Sequence, residues 1–125
     1  MGCSYTLSGK IKMSRWACEV LKESTIGFPD DPIPVVEYVK IEYLDGQGQV
    51  YLFRQGTECW DEWLDEELVA LIARLKDRPG IDFLDCKGKD LEDFGRFYID
   101  CGRWCYVGAE IPPVPPGDDP RWQKV

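Results

Sequence analysis

The chain has 125 residues, of which 44% are apolar and 30% charged, with a formal net charge of −8 and no histidine. One domain of this size buries roughly two thirds of its unfolded surface, which excludes global disorder, a repeat array and a multidomain enzyme. The acidic balance argues against direct nucleic-acid binding, which needs clustered Lys and Arg. The missing histidine removes the commonest general base near neutral pH and the commonest metal ligand.

No apolar run approaches the roughly 18 residues of a membrane helix, and no apolar h-region opens the chain, so neither a membrane span nor a signal peptide is expected. The absence of Asn rules out N-glycosylation. Six cysteines, Cys3, Cys18, Cys59, Cys86, Cys101 and Cys105, are expected to be reduced in a cytoplasmic protein, because a core of this size needs no disulfide staples. Met1-Gly2-Cys3-Ser4-Tyr5-Thr6 matches the minimal N-myristoylation pattern. Coincidence is the better reading, since Tyr5 and Leu7 look like the start of a strand.

Residues 5–13 alternate, with Tyr5, Leu7, Ile11 and Met13 on an apolar parity, as in a half-buried strand. Ser14 to Ser24 fits either a short helix capped by Ser14 or a bulged continuation of the strand through Trp16, Cys18 and Val20; the alternation favours the strand. Gly27 to Pro34 reads as a loop, because Pro29, Pro32 and Pro34 remove backbone donors. Val35–Leu44 and Val50–Arg54 read as a hairpin around Asp45-Gly46-Gln47-Gly48. Residues 59–76 form the main predicted helix. Trp60, Leu64, Leu68, Leu71, Ile72 and Leu75 make its apolar face, and Pro79-Gly80 stops it. Ile81–Leu84 suggests a short edge strand and Lys87–Asp93 a polar turn. Phe97–Cys101 and Trp104–Val107 suggest a second hairpin turning at Gly102. The expectation is a single α+β domain over 1–111. It has an antiparallel sheet of about five strands and one main helix on one face, and a Pro-rich extended tail over 112–125.

Chemistry-bearing motifs are sparse. Cys101-x3-Cys105 with Cys86 and Cys59 is a weak zinc pattern, since strong ones come as two close pairs; packed core thiols are the better reading, and no metal is expected. Cys59 near a helix start is surrounded by Glu58, Asp61 and Glu62 and lacks a histidine, which disfavours a thiol nucleophile. Acids such as Glu37, Glu42, Asp82, Asp85, Asp90, Glu92, Asp93 and Asp100 are too numerous for sequence to pair them into a glycosidase-like or Mg²⁺ site. Gly46-Gln47-Gly48 precedes a strand, so it is a turn and not a phosphate cradle. Pro112-x-x-Pro115 and Pro113-x-x-Pro116 lack a flanking cation and read as a spacer.

The most concentrated signal is the start of the main helix. Glu58, Asp61, Glu62, Asp65 and Glu66 cluster beside Trp60 and Trp63, with Trp63 the expected exposed anchor. Helix-end electrostatics explains part of this. The functional expectation is a non-enzymatic, cofactor-free module of inhibitor or immunity type. It would use Glu58, Asp61, Glu62, Trp63, Asp65 and Glu66 to occupy a basic site on a partner protein, such as a toxin or nucleic-acid enzyme. A small enzyme using carboxylates or Cys59, or an assembly subunit, are the alternatives.

Overall fold

The computed structural model describes residues 5–56, 62–88, 94–109 and 114–123. Eight strands and three helices follow in chain order: β1 (Tyr5–Lys12), α1 (Arg15–Glu23), β2 (Thr25–Phe28), β3 (Asp31–Pro34), α2 (Val35–Tyr38), β4 (Lys40–Leu44), β5 (Gln49–Gly56), α3 (Glu62–Leu75), β6 (Asp82–Lys87), β7 (Gly95–Asp100) and β8 (Arg103–Gly108). Six strands form one antiparallel sheet in the order β4-β5-β1-β6-β7-β8, and β2 pairs with β3 as a separate ribbon. The protein is thus the expected α+β domain, with one more strand in the main sheet and two further helices.

Strand alternation divides the sheet into two faces. Leu7 and Ile11, Val50 and Leu52, Leu84 and Cys86, and Phe97 and Ile99 are buried on one parity. They join Ala17, Cys18 and Leu21 of α1, Val35 of α2 and Leu64, Leu68, Val69, Ile72 and Ala73 of α3 in a single core. All three helices therefore cover the same face. Gly9 lies on it, where β1 and β6 approach so closely that a Cβ would sit 2.4 Å from the Phe83 carbonyl oxygen.

Residues 14–24 are a helix and not a continued strand. Ser14 accepts from the Ala17 amide at 3.1 Å, and the buried set Ala17, Cys18 and Leu21 has helical spacing. Trp16, which a strand would have buried with Cys18, is 70% exposed. Ser14 is itself held by Asp77, whose carboxylate accepts the Ser14 amide at 2.8 Å and also its hydroxyl. The proline-rich loop pairs as the β2–β3 ribbon, with Pro32 and Pro34 as partners of Gly27 and Thr25. Val35–Tyr38 is a helical turn, so the predicted strand begins only at Lys40.

The buried side of α3 is Leu64, Asp65, Leu68, Val69, Ile72 and Ala73, rotated from the leucine stripe, and Lys76 just past its end is buried too; Leu71 and Leu75 are only partly buried, and Trp60 lies outside the described residues. The β7–β8 turn caps α3, the Gly102 amide donating to the Ala73 carbonyl at 2.8 Å. The strand predicted at Ile81–Leu84 is β6, and it lies inside the sheet between β1 and β7, not at its edge. Lys76 is buried against Asp82 at 3.1 Å, and Asp82 also accepts the Lys12 amide at 2.9 Å. Buried charges persist only when matched in this way. Residues 114–123 form no strand and turn back on themselves, the Trp122 indole donating to the Pro116 carbonyl at 2.7 Å. That stretch is not fully extended; Pro112 and Pro113 lie outside the described residues.

Candidate functional site

The start of α3 meets the β2–β3 ribbon. Gly27 takes φ of 98°, a left-handed conformation that glycine adopts without strain, and its amide donates to Glu67 Oε2 at 3.2 Å. This bond ties the ribbon to α3 and sets Phe28 against Trp63, ring centroids 5.1 Å apart and planes at 42°. The pair stays accessible, with Phe28 61% and Trp63 42% exposed. Asp30 and Asp31 at the ribbon tip, and Glu66 one turn along α3, are exposed carboxylates on the same two elements. Two large exposed rings thus lie in contact on elements that also carry exposed carboxylates.

The six residues singled out from sequence divide. Trp63 and Glu66 are exposed as expected. Glu58 and Asp61 lie outside the described residues, and of Glu62 only the backbone is described. Asp65 departs from expectation: it is fully buried and is not part of a solvated face. Its Oδ1 accepts the Tyr38 hydroxyl at 2.7 Å and lies 3.9 Å from Arg54 Nε, while Arg54 stacks over the Tyr38 ring at 4.3 Å. Burial pushes the Asp65 carboxyl up to about 7, against the opposing pull of the Tyr38 hydrogen bond and the Arg54 charge. Asp65 thus fastens α3 to α2 and β5 and presents nothing to a partner. Sequence reading missed Phe28, Asp30 and Asp31. The available signal was an aromatic residue immediately before a Pro-Asp-Asp-Pro turn, where no neighbouring chain is expected to cover it.

The four described cysteines are dispersed, and Cys3 and Cys59 lie outside the described residues. Cys18 and Cys86 are buried, whereas Cys101 and Cys105 are exposed and so are not the core thiols expected around the second hairpin. Register places Cys86 and Cys105 on opposite faces of the sheet, which precludes the four-thiolate arrangement. Burial pushes the Cys18 thiol up, away from nucleophile behaviour. Among the described residues no three Cys, Asp or Glu side chains converge in a metal-binding group, and no helix is long and apolar enough to cross a membrane. Comparison with protein-family models, with curated proteins and with solved structures finds no match.

Proposed function

We propose that this chain is a small acidic protein-binding module of inhibitor or immunity type, acting in the cytoplasm without catalysis of its own, that occupies a basic site on a partner protein. The observation that carries the reading is the Phe28–Trp63 pair, two exposed rings in tilted contact across two elements. Folding does not require rings at positions this exposed, and Trp is favoured where a partner excludes water. Asp30, Asp31 and Glu66 supply charge that steers a cationic partner towards the rings. Asp65 is withdrawn from the binding set, and Phe28, Asp30 and Asp31 are added to it.

Affinity capture from the native host tests the proposal, with each captured protein identified and purified. Wild type and a Trp16→Ala control should retain a partner with a basic docking surface, and Phe28→Ala with Trp63→Ala should lose it. Retention of the same partner by the double variant, or a partner whose contact surface is acidic, would overturn the assignment.

A further inference from the structure

The face of the main sheet opposite the helices carries a chemistry of its own. Register places Glu42, Tyr51, Lys10, Phe83, Tyr98 and Cys105 in one row across it, and Lys40, Phe53, Ser8, Asp85, Arg96 and Val107 in the next. Lys87 follows Asp85 on the same parity of β6. None of these residues is fully buried. Four aromatic rings are therefore interleaved with four cations, against two carboxylates. Among the described residues Lys10, Lys40 and Lys87 make no ion pair. Arg96 donates to Asp85 Oδ1 at 2.6 Å and sits over the Phe83 ring, 4.0 Å from its centroid, and that ring meets Tyr98 edge-on at 6.3 Å. At the end of β6–β8 this face sinks into a groove of about 450 Å³ whose lining includes Asp85, Lys87, Phe94, Arg96, Tyr98 and Val107, a volume that suits a nucleobase with its sugar.

We propose that this open sheet face binds single-stranded nucleic acid. Rings on a sheet surface, and a guanidinium plane such as that of Arg96, are platforms on which unpaired bases stack. Lys10, Lys40 and Lys87 then meet the phosphates between them. Charge separates this occupant from the one at the acidic end of α3: the chain is −8 overall, yet this face is locally cationic. The carboxylates of the helix layer lie beyond the sheet, farther from a bound strand than the four cations, and Coulomb energy falls with distance. An acidic peptide would use the lysines but has no use for the four rings, so the nucleic acid is the better fit.

Fluorescence anisotropy with a labelled ten-nucleotide oligouridine tests the proposal on the full-length protein. Binding is expected at 50 mM salt, weakening about 40-fold by 300 mM if the three lysines each release counterions from a single strand. Lys10→Glu with Lys87→Glu, both exposed, should weaken binding at least about tenfold at low salt, and Tyr51→Ala should weaken it without changing the salt slope. Trp63→Ala, on the helix side, should leave it unchanged, so failure here is distinguishable from failure of the protein-binding proposal. No binding by wild type at 50 mM salt, unaltered binding by the lysine double variant, or displacement of the oligonucleotide by an equimolar decaglutamate peptide would each overturn it.

Discussion

Leu84 and Phe83 are neighbours in β6, and the sheet sends them to opposite sides. Leu84 is fully buried in the core beneath the helices, while Phe83 is 39% exposed on the open face under Arg96. The same division runs through β1 and β5, where Leu7, Ile11, Val50 and Leu52 alternate with Ser8, Lys10 and Tyr51. One parity is thus committed to folding and the other is left for surface chemistry, so substitutions one residue apart should fail in different ways. Leu84→Ala should cost about 2–5 kcal/mol, the range for a buried leucine leaving a cavity. Phe83→Ala should cost less, about 1–2 kcal/mol, since the side chain is only partly buried. Urea denaturation of the two variants side by side breaks the comparison if their losses are equal.

The carboxylates show a second contrast, and it predicts the pH dependence. The Asp65 carboxyl is raised to about 7 by burial, so the folded state holds a proton there that the unfolded chain has released. Stability from this group is full below about pH 4 and falls as pH rises towards 7, by no more than about 2.7 kcal/mol between pH 5 and pH 7. Asp65→Asn can still accept from Tyr38 and should remove that fall. Asp77 runs the other way. Burial pulls its carboxyl up, but the two hydrogen bonds from Ser14 outweigh it and hold the group below the ordinary carboxylate range. Its contribution is present near neutrality and is lost as pH drops through the depressed value. Thermal melts of wild type and Asp65→Asn from pH 4 to pH 8 check this. A wild-type profile as flat as that of the variant would mean Asp65 is solvated after all. Within the sheet, Gly9→Ala should cost about 1–3 kcal/mol through overpacking, because its Cβ would meet backbone and not a yielding side chain.

Local patterns were legible where one element decides them. The alternation in β1, the Asp-Gly turn before β5 and the Gly102 hairpin need only near neighbours, and each is found where the sequence places it. The misreadings come from partners far along the chain. Ser14–Ser24 resembles a strand because Trp16, Cys18 and Val20 alternate; Asp77, 63 residues away from Ser14, helps fix the helical start. Asp65 reads as a solvated helix-end acid until Tyr38 and Arg54 arrive from α2 and β5. Ile81–Leu84 reads as an edge because nothing local announces that β1 pairs beside it. Trp63 was legible as an exposed side chain. Phe28 was not, because its partner ring lies on another element. Net charge is likewise a chain-wide sum, and only strand register brings Lys10, Lys40, Lys87 and Arg96 onto one sheet face.

The central claim is that the carboxylate-rimmed pair at the start of α3 meets a basic partner, and the association rate of the captured partner tests it most directly. Stopped-flow measurement with Glu66→Lys, which keeps both rings and is exposed, should show a rate slowed by about three- to tenfold at low salt. The difference from wild type should vanish near 1 M salt, where the Debye length is about 3 Å, and the dissociation rate should change little. An association rate equal to that of wild type across the whole salt range would contradict the claim and reduce the acidic end of α3 to a solvated helix terminus.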